Sequence, residues 1–246
     1  MVAVFLAGTA AGTINTVVGS GTLITFPTLL ALGVQPVTAN VSNNIGLVPG
    51  SLSGAYGYRR ELAGQKARLL RLGPASVLGG LVGAVLLLVL PDDAFKAVVP
   101  ALIGLAVVLV IFQPAISRRV AARSGGVPEH GAWWVWAAVC AAGVYGGYFG
   151  AAQGVLLMAI LGVGLQETMQ RNNATKNVLA ALVNGLAAVI FAFVADVDWL
   201  IVALIAVGST IGGQLGATVG RRLSQTLLRA LIVVVGVTAL VSFLVR

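Results

Sequence analysis

Apolar stretches fill this chain, and their length limits its possible folds more than any other feature. Near 2–33, 38–58, 69–90, 95–113, 132–165, 174–195, 199–219 and 227–245 the sequence is almost free of charge. A helix rises about 1.5 Å per residue, so about 20 apolar residues cross the ~30 Å hydrocarbon core of a bilayer. These segments predict an all-α polytopic membrane protein. Composition agrees: 59% of the 246 residues are hydrophobic, only 9% are charged, and the mean hydropathy is +1.01. A soluble domain of this size needs far more charge to cover its surface. A β-barrel needs short alternating segments, which are absent. The lipid bilayer is the first partner implied, and a homo-oligomer remains open.

The net charge of +8 gathers in short loops, as at cytoplasmic membrane flanks. It therefore gives no argument for nucleic acid. Cys140 is the single cysteine, so no intrachain disulfide can form. The opening MVAVFLAGTAAG lacks a basic leader region and reads as the first membrane segment.

The two halves of the chain repeat each other. A shift of 133 residues carries Asn40 onto Asn173, Ser42 onto Thr175, Asn44 onto Asn177 and Ser51 onto Asn184. The same shift carries Ser76 onto Ser209, Gly79-Gly80 onto Gly212-Gly213, Gly83-Ala84 onto Gly216-Ala217 and Lys96 onto Arg229. Before the Asn motif the shift is 131, taking Gly12 to Gly143, Gly19 to Gly150 and Gly33 to Gly164. Two inserted residues near Gln166-Glu167 account for the change. The polar stretch 114–131 divides the repeats, 1–113 and 132–246, and such duplication is common in transporters.

Charge placement orients the copies. Arg59, Arg60, Lys66, Arg68 and Arg71 put the loop at 59–72 in the cytoplasm, with Asp92-Asp93 outside and Arg118, Arg119 and Arg123 inside again. Arg221, Arg222 and Arg229 also ask for the cytoplasm, whereas Asp196 and Asp198 lie apart from cations. These demands agree only if the fifth segment enters and leaves on one side. As a single helix its roughly 33 residues would run about 50 Å, too long for one crossing. Segments one and five are therefore expected to be broken, re-entrant hairpins, at Gly19-Ser20-Gly21 and Gly150-Ala151-Ala152-Gln153-Gly154. Each half becomes a hairpin plus three transmembrane helices. That odd number of crossings inverts the second repeat, makes the linker cytoplasmic and puts both termini outside. A parallel arrangement would strand Arg221 and Arg222 outside.

Polar residues within these segments are the candidate site. Irregular backbone at membrane depth survives only when buried in protein or lining a cavity. At each break a second half-helix starts near Thr22 or Gly154, with free N–H groups and a positive dipole end. Gly19, Gly21 and Gly154 permit close backbone approach, and Ser20, Thr22 and Gln153 add hydrogen-bonding groups. Spacing i, i+3, i+4 gathers Asn40, Asn43 and Asn44 on one helical face, and Asn173, Lys176 and Asn177 on another. A buried amide costs a few kcal/mol unless partnered, so these groups meet each other, the backbone or a substrate. Polar glue between helices, or capping of the hairpin ends, is the competing explanation. Lys176 stands where the first copy has Asn43, and a cation within a membrane segment points to function, with an anion as its partner. Snorkelling is its alternative, as is pairing of Lys176 or Arg171 with Glu167. Gly79-Gly80-x-x-Gly83 and Gly212-Gly213-x-x-Gly216 read as close helix packing, and Trp133, Trp134, Trp136 and Trp199 as interfacial anchors.

Enzymatic signatures are missing. His130 is the only histidine, and no His/Cys cluster suited to a catalytic metal, Gly-x-Ser-x-Gly, HExxH or P-loop occurs. No catalytic residue, metal or cofactor is expected. Glu61, Asp92, Asp93, Glu129, Glu167, Asp196 and Asp198 all lie in loops or at segment ends. A coupled proton would therefore travel on the substrate or through Glu167 or Lys176.

The stretch GSGTLITFPTLLALGVQPVTANVSNNIGLVPGSLSGAYGYRREL resembles the first signature of the TauE/SafE family of sulfite exporters. The shared features are a Gly-rich break, Pro, Leu-Gly, Pro, Ala, an Asn-containing stretch, then Ser, Gly and the Tyr58-Arg59-Arg60 exit. The 4+4 layout, central linker and paired GGxxGA helices extend the resemblance along the chain, more loosely in the second half, where GAAQG replaces a fuller glycine run. The resemblance implies a bacterial inner-membrane exporter or permease for sulfite, sulfonates or related small anions. The expected mechanism is alternating access around a midplane site between the repeats. A passive anion channel, a carrier of small organic carboxylates and a non-transporting membrane subunit are the alternatives.

Overall fold

The computed structural model describes residues 1–121, 132–219 and 225–244. Arg123, Glu129, His130, Arg221 and Arg222 lie outside the described residues, as do the side chains of Arg118, Arg119 and Arg229. Every regular element among the described residues is an α-helix. They are α1 (Val2–Val17), α2 (Thr22–Ala31), α3 (Pro36–Gly57), α4 (Lys66–Val89) and α5 (Asp92–Ala121), then α6 (Trp133–Tyr148), α7 (Gln153–Gly164), α8 (Met169–Val194), α9 (Trp199–Thr218) and α10 (Gln225–Leu244).

The first and fifth apolar segments are broken where glycine predicts. Gly19 and Gly150 have left-handed backbones, with φ of +93° and +77°. Only glycine adopts that region without a Cβ penalty, so the helix ends there. The two ends close alike, Gly19 N–H donating to the Ile14 carbonyl and Gly150 N–H to that of Tyr145, both at 3.0 Å. Two boundaries differ from the sequence expectation. The segment expected at 174–195 begins at Met169, because Thr168 caps it by accepting from Arg171 N–H at 3.3 Å. α5 also continues through 114–121, so the stretch read as linker starts as helix.

By length and composition, residues 66–89, 92–112, 169–194 and 199–218 are apolar enough to cross a membrane. α3 is as long, but Asn40, Ser42, Asn43, Asn44 and Ser51 dilute it, and all five are buried.

Each hairpin packs against the other half of the chain. α1 runs parallel to α9, Gly8 facing Ile205, Gly12 facing Ser209, and Gly216 facing Thr13 and Thr16. α6 runs parallel to α4 in the same way, Gly143 facing Ser76, Gly147 facing Gly80, and Gly83 facing Val144 and Gly147. The shifts that align the sequences carry one set of contacts onto the other. A Cβ at Gly8 would stand 3.0 Å from the Ile205 Cα, and one at Gly143 2.8 Å from the Ser76 carbonyl oxygen. Only small residues allow backbones this close. α3 also lies parallel to α9, with Gly46 on Ile205 and Gly50 on Ser209. The compact turns at 58–65 then send α4 back the other way.

Candidate functional site

The two helix breaks touch. Gly19 and Gly154 meet backbone to backbone, and the Gly154 N–H donates to the Gly19 carbonyl at 3.1 Å. A Cβ at Gly19 would stand 2.5 Å from the Gly154 Cα, so neither position has room for a larger residue. The half-helix start at Gly154 therefore spends this donor on the opposite hairpin. At the other start the Leu23 and Ile24 N–H groups close onto the Ser20 and Gly21 carbonyls at 3.2 and 2.9 Å.

Both Asn motifs reach across to the opposite hairpin. Asn173 Nδ2 donates to the Thr16 carbonyl at 3.0 Å, and Asn177 Nδ2 to the same oxygen at 3.4 Å. Lys176 Nζ donates to the carbonyls of Asn15 at 2.8 Å and Thr16 at 3.2 Å. These oxygens belong to the last turn of α1, whose carbonyls lack intrahelical partners and carry the negative end of the helix dipole. In the first copy, Asn40 Nδ2 donates to the Tyr148 carbonyl at the end of α6, at 2.9 Å. Asn43 instead turns to its own hairpin, donating to Thr22 Oγ1 at 3.2 Å and accepting from Thr25 Oγ1.

Lys176 is 1% exposed, and among the described residues no carboxylate pairs with it. Its Nζ is held by backbone carbonyl oxygens of α1. Several buried polar atoms make no hydrogen bond within the protein, among them Ser20 Oγ, Asn44 Oδ1, Gln153 Nε2, Asn172 Oδ1 and Asn173 Oδ1. Gln153 lies against Gly146, and a Cβ there would meet its amide. Asn173, Lys176, Asn177, Gly19, Ser20, Gln153 and Gly154 thus gather at the hairpin crossing. Asn40 meets the end of α6, Asn43 meets Thr22 at the start of α2, and Gly21 packs on Ala11 and Asn15.

The hydroxyl in the middle of each motif has a partner outside the predicted site. Ser42 Oγ accepts from the Asp198 N–H at 3.0 Å, and Thr175 Oγ1 donates to Gln65 Oε1 at 2.8 Å. Asp198 and Gln65 are the N-cap residues of α9 and α4 and are related by the shift of 133. That shift was the signal that could have found Gln65, had Gln and Asp looked alike. Sequence reasoning also missed Asn15 and Thr16, whose contribution is main-chain oxygen.

Gln65 opens onto a polar cluster joining the loops at 58–65 and 165–168. Its Oε1 also accepts from Arg68 at 2.6 Å, and its Nε2 donates to the carbonyls of Glu61 and Arg171 at 2.8 and 3.1 Å. Glu167 pairs with Arg68 at 3.1 Å and Arg171 at 2.7 Å, which makes an ion pair the local partner of Arg171. Burial pushes the Glu167 carboxyl up, but hydrogen bonds and charge from Arg68 and Arg171 together outweigh it and hold it below the ordinary carboxylate value.

Two broken hairpins whose half-helix ends meet between apolar spans suit a membrane transporter, and comparison with known proteins places the chain in such a family. Residues 4–243 match the family described as Sulfite exporter TauE/SafE, and the chain belongs to that family. It is similar to the probable membrane transporter protein YfcA of Escherichia coli (strain K12), 26% identical over 94% of this chain and 84% of that one. It is also similar to probable membrane transporter proteins of a Sinorhizobium species (25% identical over 98% of this chain and 90% of that one) and of Haemophilus influenzae (23% identical, 94% and 89%). No solved structure matches it.

Proposed function

We propose that this membrane transporter is a secondary carrier of small sulfur-containing oxyanions, such as sulfite or organosulfonates, in the bacterial inner membrane. The observation that carries this reading is the hairpin crossing, where a buried lysine held by backbone carbonyls meets unpartnered amide atoms and the Ser20 hydroxyl. One positive charge and unpartnered polar groups would replace the hydration shell of an anion. Family membership supports the sulfur chemistry. The repeats, 1–113 and 132–246, are inverted and rock against each other to expose the site alternately, with the join at 114–131 cytoplasmic and both termini outside. Support comes from the helix directions: α1, α3 and α9 run one way, while α4 and α6 run the other, so repeat-related α1 and α6 are opposed. The substrate-binding residues are Gly19, Ser20, Gly21, Thr22, Asn40, Asn43, Asn44, Gln153, Gly154, Asn173, Lys176 and Asn177.

Anion uptake into proteoliposomes tests the proposal, comparing wild type with Lys176→Ala and Asn44→Ala. Wild type is expected to take up sulfite in a saturable manner with counterflow exchange, and both variants to lose at least tenfold in rate. Flux that neither saturates nor exchanges would make the protein a channel. Unchanged uptake in both variants would remove these residues from the mechanism.

A further inference from the structure

The unpartnered atoms at the crossing are not all donors, and this narrows the ligand further than charge alone. Asn173 has a fixed orientation, because its Nδ2 is spent on the Thr16 carbonyl. Its Oδ1 is therefore a buried acceptor, on a residue 5% exposed and without a hydrogen bond in the protein. A fully ionised oxyanion has no proton to give it. Gln153 Nε2 and Ser20 Oγ, on residues 2% and 0% exposed, are the complementary groups, one a donor and one able to donate. An ammonium has three N–H donors, and two of those on Lys176 go to Asn15 and Thr16, leaving one for a ligand. Lys176 is also the buried cation at the crossing among the described residues. A monoanion neutralises it, whereas a dianion would leave a net negative charge buried, which is costly in a medium that solvates ions poorly.

We infer that the site selects a monoanion that still carries an acidic proton, an oxyanion of the hydrogen sulfite type. It discriminates against aprotic monoanions of the same shape and against dianions. The inference rests on the oxyanion reading above and sharpens it. Asn173 acts as the specificity-determining acceptor, Gln153 and Ser20 as donors to the charged oxygens, and Lys176 as the counter-charge.

The test uses ligands that differ by little more than this proton. Methylphosphonate at mildly acidic pH is a monoanion with one P–OH group, and methanesulfonate is a monoanion of nearly the same shape without it. Binding of each, and of sulfate, is measured on the purified full-length protein by displacement of radiolabelled sulfite. Leaving a buried acceptor unpaired corresponds to roughly tenfold or more in affinity. Methylphosphonate is expected to bind at least about tenfold more tightly than methanesulfonate, with sulfate the weakest. Asn173→Ala should erase the difference between the two ligands. Equal affinity of the two monoanions in wild type, or tighter binding of sulfate, overturns the inference while leaving oxyanion transport intact. Should wild-type protein bind and transport no oxyanion at all, both readings fall together. The wild-type ligand series decides the matter even if the Asn173 variant does not fold.

Discussion

At the scale of single residues, Gly19 and Gly33 separate two costs that usually arrive together. Both have left-handed backbones, with φ of +93° and +85°. An added Cβ at Gly33 would meet nothing within 4 Å, whereas at Gly19 it would strike the Gly154 backbone. Gly33→Ala should therefore cost only the conformational penalty, about 1–2 kcal/mol. Gly19→Ala should cost that and the separation of the two hairpins as well. Thermal unfolding in detergent measures the difference, and equal losses would show that the contact at Gly19 contributes nothing. Gly19 was legible in sequence because an isolated glycine pair interrupts an otherwise continuous apolar run. The partners of Lys176 were not. Its charge pointed to an anion, but the last carbonyls of α1 leave no mark on side-chain identity. Which helix end a lysine meets depends on how α8 crosses α1.

At the scale of elements, the starts of α4 and α8 are joined through Glu167 by charge, while the repeat-related contact of Ser42 with Asp198 is a simple hydrogen bond. Arg68 corresponds to Ile201 and Arg171 to Thr38 under the shift of 133, so the ionic cluster has no counterpart in those positions. Its stabilisation should depend on pH. The Glu167 carboxyl is held below its ordinary value, so its contribution is fully present above the unfolded-state pKa and is lost as pH falls through the lower, folded one. Unfolding temperature should therefore drop in acid for wild type. Glu167→Gln should begin lower at neutral pH and fall less steeply. Parallel curves for the two proteins would mean that Glu167 titrates identically folded and unfolded. The motif spacing made the two Asn faces legible, yet it could not assign the middle hydroxyls. Ser42 and Thr175 lie between those Asn residues, and they hold the starts of α9 and α4.

At the scale of the whole molecule, the halves are interlocked. α1 buries its glycine face on α9 and α6 buries its own on α4, so each hairpin finds its partner in the other half. α3 likewise packs on α8 and α9. The repeat was legible from two constant shifts, but a shift says nothing about which half supplies a neighbour. That exchange follows from packing, since a glycine-lined helix gains most where a second small-residue stripe lets the backbones meet. It also fixes what happens when the chain is cut. Residues 1–121 alone would leave the glycine face of α1 and the unpartnered end of its last turn uncovered, and residues 132–246 alone would do the same to α6. Each half made separately in cells should be degraded or recovered only as aggregate. Made together, the halves should associate, co-purify through a tag on one of them and recover sulfite binding. A single half that accumulates as a monodisperse species would mean that its hairpin is satisfied within its own repeat, and the interlocked arrangement would fail with it.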